Sequence, residues 1–339
     1  MSPADPVSPA LTDWRVLHGG HFEGARVLVT GGAGFIGSHL CDALVCLGAQ
    51  VVALDDLSGG DRKNVADAAG AGALELVTAS ILDEAAVKDA MKGCQYVLHQ
   101  AALPSVPRSI EMPRRFHDVN VTGSQIILDT AVDQKVGRLV FAASSSAYGD
   151  TPSLPKVETM VPLPKSPYAA NKLAGENLMH AYASCYPIDT AALRYFNVFG
   201  PRQNANSVYS GVIAAFARAL HTGEPPTIHG DGTQTRDFTF VDNAVQANLL
   251  AARHDGRIGG QAINVACGEA VSISELARQM ADAMNKPDLR GRHGPPRAGD
   301  VTHSLADLQR ARSVLGYEPI VDFESGLRAT VQWYEGTLG

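Results

Sequence analysis

Apolar positions along the chain change period several times, and each change marks an element. The first is RVLVT (Arg26–Thr30), a short apolar run rich in β-branched residues that predicts a buried strand. Beyond GGAGFIG, apolar residues recur at Ile36, Leu40, Ala43, Leu44 and Leu47, one face of a helix with Gly48 as its C-terminal stop. VVALDD is another apolar run, closed by two acids. LELVT, YVLHQAA, RLVFAAS and TAALRYF follow as strand-like runs, with helical patterns such as residues 119–132 between them. Strands alternating with helices predict an α/β fold, a doubly wound parallel sheet whose ligands gather at the carboxyl ends of the strands. HQAALPSVP, SSSAYG and RYFNVFGP all fall at such ends.

Strand, glycine turn, helix, strand, acid is the order of a dinucleotide-binding site. Gly31 allows the tight turn, Gly34 a close approach of backbone to a pyrophosphate, and Gly37 close packing of helix on strand. The helix amides then face the phosphates. Asp55, at the end of the second strand, is placed to accept bonds from the adenosine ribose hydroxyls. A carboxylate there would repel a 2′-phosphate, so the expected cofactor is NAD rather than NADP.

Composition removes other classes. A chain of 339 residues has room for a nucleotide-binding domain and a smaller partner. Its net charge of −7, with no basic stripe, argues against nucleic acid. The five cysteines form no CxxC pair and read as reduced thiols of a cytoplasmic protein; the eleven histidines lack metal-ligand spacing, so no metal is expected. No apolar run has the length of a membrane span. Residues 1–24 lack the features of a signal peptide and read as a flexible or loosely docked tail.

SPYAANK supplies the chemistry. Ser166 is a fitting N-cap and Pro167 a fitting first helical residue, so Tyr168 and Lys172 begin one helix on one face. For a phenol to act as a base near neutrality its pKa must fall by roughly three units, about 4 kcal/mol. One cation at ~4 Å supplies about that much at an effective dielectric of ~20. Lys172 is expected to be that cation, with an oxidised nicotinamide as a second, and to bond the nicotinamide ribose. Ser144, ending the preceding strand, can share the proton of a substrate hydroxyl.

TGGAGFIGSHL, LDDLSGG, AALPSVPRSI, NVTGSQIIL, SSSAYGD, SPYAANKLAGE, LRYFNVFGPRQ, GDGTQTRDFTFVDN and RAGDVTHSLAD run in order from about residue 26 to the C-terminus. Together they resemble the extended short-chain dehydrogenase/reductases of the nucleotide-sugar epimerase and dehydratase group. The resemblance implies a Rossmann domain over residues 25–197 and 241–267, and a smaller α/β cap for a UDP-sugar over 198–240 and 268–339. It also implies a homodimer formed through helices at 119–132 and 168–185. It adds Phe35, Ile36, Asp56, Ser80, Ile81, Ala101, Ala102, Asn120 and Tyr195 to the cofactor site, beside Tyr168 and Lys172. Ser80 stands where the group generally has an aspartate near the adenine, which implies weaker adenine anchoring.

For the substrate, the resemblance assigns Arg236 and Arg297 to the diphosphate, Asn197 to it by its amide, and Asp300 to a ribose hydroxyl. Ser144, Ser145, Ser146, Val212 and Thr227 complete that wall. Each arginine alone also fits a surface salt bridge. Dehydratases of the group carry an acid pair before YG and UDP-glucuronate decarboxylases a glutamate, whereas this chain offers only the three serines. That leaves C4 epimerisation through a 4-keto sugar. Ser304 lies where hexose-specific relatives carry tyrosine, and a small residue there leaves space for an N-acetyl group. UDP-N-acetylglucosamine is therefore the expected substrate, with UDP-glucose or UDP-hexuronic acid epimerisation and UDP-glucuronate decarboxylation as alternatives. HSLADL also reads as a helix start with Ser304 as its cap.

Overall fold

The computed structural model describes residues 11–204, 211–296 and 302–338. Seven parallel strands form one sheet. Its order is Ala262–Val265, β6 (Asp189–Tyr195), β5 (Arg138–Ser144), β4 (Tyr96–His99), β1 (Arg26–Thr30), β2 (Gln50–Asp55) and β3 (Leu74–Thr78). The chain winds outward from β1 to β3, then crosses back to β4 on the other side of β1. The gap between β1 and β4 is thus the switch point at which such sheets bind nucleotides. Helices cover both faces, and for that reason the central strands read as unbroken apolar runs: β6 is buried at every position. Parallel pairing sets Thr30 level with Leu54 and His99, and Ser144 level with Tyr195, so the strand ends form one edge.

The smaller lobe has its own apolar cluster, with Phe199, Phe216, Phe238, Phe240, Met280 and Phe323 at its centre. Phe238 stacks on Phe323 at 5.5 Å between ring centroids. Helices Val212–His221, Ile273–Ala283 and Phe323–Thr337 enclose it. Its strands are short and pair only in twos, as in Thr235–Asp237 with Ala270–Ser272. Helix Val241–Arg253 is buried along almost all its length; Val241 packs in the lobe's cluster and Ala244, Ala247 and Ala251 in the sheet's.

Two expectations need correction. Residues 11–24 are no loose tail: Trp14–His18 is a helix capped by Asp13, and Phe22 is fully buried in the sheet-side core. Thr12 donates to Asp242 at 2.6 Å, and the His18 Nε2 lies 2.7 Å from the Gln246 side chain. Polar anchors and two aromatics, Trp14 and Phe22, dock a segment too short to show a clear period of its own. The second concerns the cap boundary. Ala306, Leu308, Ala311, Leu315 and Tyr317, expected in the cap, pack against the sheet instead.

Candidate active site

The glycine turn follows from close packing. Gly31 has φ +66, and a Cβ there would lie 2.8 Å from the Ala101 nitrogen. At Gly37 an added Cβ would fall 2.0 Å from the Gly31 carbonyl oxygen. Helix Phe35–Cys46 starts from Gly34 with no side-chain cap, which leaves its first amides open to an anion at the β1/β4 switch point. Asp55 ends β2, and its carboxylate accepts from Ala33 N at 3.0 Å and Leu57 N at 2.8 Å. Burial raises its pKa, and those amide bonds hold it down. An uncapped helix start, a backbone cradle that a Cβ would fill and a fixed carboxylate one strand away fit a dinucleotide.

The other expected cofactor residues are spread along the strand ends and the loops after them. Phe35 and Ile36 pack against the cap's cluster. Asp56 is exposed and bonds Ser58; Ser80 accepts from Leu82 N. Ile81 is buried, and Ala101 N donates to Thr30. Ala102 follows it beyond β4, partly exposed. Asn120 has both ends of its amide on the Leu103 backbone, so it clamps the loop after β4. The Tyr195 hydroxyl is held between Gln100 and Asn248, and burial pushes its pKa up to about 12.

Helix Pro167–Cys185 begins as expected, with Ser166 accepting from Ala169 N. Ser109, on the neighbouring helix Val106–Glu111, accepts from the Tyr168 backbone N–H at 3.1 Å. Two serines thus fix the turn that carries Tyr168. Ser144 is the polar side chain set against its hydroxyl, and Ser144 accepts from the Ser146 backbone and hydroxyl. Lys172 is buried, donates to the Ala142 carbonyl at 2.7 Å and lies 5.0 Å from the centre of the Phe141 ring. Burial pushes the Tyr168 phenol up, and Ser144 is what opposes it. Lys172 is not the lowering charge the spacing predicted, because its ammonium is drawn onto β5. Its own pKa is lowered to about 8, mainly by burial, against the attraction of Glu176.

On the substrate side, Asn197 has φ +35, an uncommon conformation for a side chain, and donates to the Asp237 carbonyl. Arg236 bonds the carbonyls of Thr235 and Thr302. Val212 opens helix Val212–His221, Thr227 opens strand Thr227–His229, and Ser145 and Ser146 form a short turn after β5. Ser304 N donates to the Thr235 carbonyl, which puts it beside Arg236. It caps no helix; Asp307 bonds Gln309 N at the next helical start. Arg297 and Asp300 lie outside the described residues. Among those described, no cluster of His, Cys, Asp or Glu could hold a metal, and no helix is long and apolar enough to cross a membrane.

Sequence reasoning passed over two features. Asp237 is fully buried and accepts from the amides of Cys267, Gly268 and Ala306, which ties together three segments next to Arg236 and Ser304. Glu176 grips Arg194 with bonds of 2.7 to 3.2 Å, and the Arg194 guanidinium lies 4.6 Å from the Tyr148 ring centre. The i, i+4 spacing of Lys172 and Glu176 was a visible signal. The others depend on contacts between distant parts of the chain.

The profile of the NAD dependent epimerase/dehydratase family matches residues 27–266. A UDP-glucose 4-epimerase of Mycolicibacterium smegmatis is 40% identical over 91% of this chain and 98% of its own length. Among solved structures, a UDP-N-acetylglucosamine 4-epimerase from Methanobrevibacter ruminantium, in complex with UDP-N-acetylmuramic acid, is 38% identical with a TM-score of 0.88. That alignment covers 93% of this chain and 99% of the other. The UDP-glucose 4-epimerase of Thermotoga maritima, with UDP-glucose, is 35% identical with a TM-score of 0.87, over 93% and 100% of the two chains. With the glycine cradle, the Asp55 carboxylate and the Tyr168–Lys172 pair in place, the chain belongs to the NAD dependent epimerase/dehydratase family, and NAD is its cofactor.

Proposed function

We propose that this NAD-dependent UDP-sugar 4-epimerase interconverts UDP-N-acetylglucosamine and UDP-N-acetylgalactosamine, and accepts UDP-glucose as well. The observation that carries the reading is the placing of Tyr168 beside Ser144 and a turn of hydroxyls that contains no carboxylate. Tyr168 receives the O4 proton while Ser144 holds the oxygen. NAD supplies the hydride acceptor for C4, so the sugar becomes a 4-keto species and is reduced again from its other face. Asn197 and Arg236 hold the diphosphate, with Arg297, while the flat ring turns over.

A dehydratase or decarboxylase needs a further acid. Every buried acid among the described residues, namely Asp55, Glu158, Glu176, Asp189 and Asp237, already accepts protein donors. The small Ser304 supports a substrate with a bulky C2 substituent, as does the likeness to a UDP-N-acetylglucosamine 4-epimerase. The 40% identity to a UDP-glucose 4-epimerase supports the second substrate. The enzyme works in the cytoplasm as a homodimer joined through helices Gly123–Asp133 and Pro167–Cys185.

The test incubates the pure protein with UDP-glucose, UDP-N-acetylglucosamine, UDP-glucuronate and UDP-N-acetylglucosaminuronate, and identifies products by NMR. A gluco/galacto mixture from UDP-N-acetylglucosamine is expected. Released carbon dioxide, or turnover of a uronate alone, would overturn the proposal.

A further inference from the structure

Lys172 is an ammonium in a costly place. It is 3% exposed, and one carbonyl bond and one aromatic face are its close partners on β5. The charged and titratable groups around it come from four elements. Tyr168 and Glu176 share its helix, Arg194 projects from β6, Tyr148 from the turn after β5, and His99 from β4. His99 is fully buried between Thr30 and Ser124, and its pKa is lowered to about 3, so it stays neutral. Tyr148 donates to Asn264 and is likewise neutral. Glu176 is thus the negative charge that faces Lys172, one helical turn on.

That carboxylate is itself 5% exposed, and two-pronged bonding by Arg194 on the neighbouring strand fixes it. We propose that Glu176, anchored by Arg194, is a positioning residue of the reaction, whose buried carboxylate keeps the Lys172 side chain in its ammonium form at the working pH. The proposal rests on the reading of Lys172 as part of the catalytic pair. Arg194 contributes by holding the carboxylate still and ionised. Lys172 then keeps a positive charge for the cofactor without competing for the proton that Tyr168 handles.

The experiment compares kcat and kcat/KM against pH for the wild-type holoenzyme and Glu176→Gln, with bound NAD and the melting curve as controls. Without the carboxylate, Lys172 loses its proton at lower pH. The alkaline limb of kcat should move down by about one unit, so that activity falls roughly fivefold near pH 8, about tenfold well above it, and little near pH 6. Glu176→Asp should restore most of the limb's position. Equal loss at every pH, or an unmoved limb, would overturn the proposal by leaving Glu176 only a structural role. If Glu176→Gln does not fold, the double variant Glu176→Gln/Arg194→Met removes the buried guanidinium together with its carboxylate partner. Its limb should move in the same direction by less, and an unmoved limb there is equally adverse. Lys172→Met separates the two readings: retained activity in that variant would remove the catalytic pair itself, whatever Glu176 does.

Discussion

The sheet side and the cap side of the candidate site are built on different principles. On the sheet side, each chemical group sits at the end of a parallel strand or in the first turn of a helix, and ladder register fixes its height: Thr30, Asp55 and Ser144 all lie on one edge. On the cap side, Arg236 lies on a three-residue pairing and Ser304 beside a single-residue bridge, both held by single side chains, chiefly Asp237. The first wall cannot change without disturbing a core. The second can change one residue at a time, which suits a family that keeps one oxidation step and varies the sugar. Four substitutions probe this contrast.

The largest effect is expected at Gly37→Ala. Its Cβ would meet the Gly31 oxygen at 2.0 Å, so the glycine turn or the helix must move. Such overpacking belongs to the rare class of losses above about 4 kcal/mol. The variant should be recovered with little NAD or not fold, measured by cofactor released on denaturation and by thermal melting. A protein with normal NAD content would show that the sheet-side wall is more pliant than its packing implies.

Tyr168→Phe comes next. The ring still fills its place, but nothing accepts the O4 proton, so turnover should drop by ~10²–10⁴-fold. Calorimetric binding of UDP-sugar and the NAD content should stay near wild type. Unchanged turnover would mean another group is the base.

On the cap side, Asp237→Asn turns an acceptor of three amides into a group that must also donate towards them. A loss of about 1–3 kcal/mol in stability is expected. KM should rise more than kcat falls, because the wall that holds the substrate loosens while the catalytic pair does not. Equal effects on both would blur the division between the two walls.

Ser304→Tyr is the gentlest of the four. It should lower kcat/KM for UDP-N-acetylglucosamine by about 10–100-fold and leave UDP-glucose much less affected, since pocket fit of this kind is worth ~1–3 kcal/mol. Steady-state kinetics on both sugars, with a melting curve as control, decides it. Equal losses would remove the reason to place an N-acetyl group there.

The same division explains what could be read from sequence. The strands of the sheet are buried on both faces, so their composition alone announces them, and Gly31 and Gly37 sit where only glycine fits. Tyr168 and Lys172 are four residues apart on one helix, a local relation. Asp237 bonds Ala306 across 69 residues, and Arg194 meets Glu176 across 18; no local pattern carries such pairs. HSLADL failed as a helix start for a related reason. His303 pairs with Thr235 and Ala306 with Lys156, and these bridges hold the segment extended against its own preference. The N-terminal helix was missed because Thr12 and His18 find their partners more than two hundred residues away.

Helix Val241–Arg253 has a consequence for how the molecule comes apart. Its first residue belongs to one apolar cluster and its middle to the other, so neither lobe can melt and leave the other whole. Calorimetry should therefore record one transition rather than two, despite the two lobes. Asp242 and Gln246 on this helix are closed off by Thr12 and His18. Cutting the chain back to Ala25 would strip both partners, and Asp242, whose pKa burial already raises, would have to be rehydrated or protonated. Residues 11–24 thus act as a lock on the beam that joins both halves.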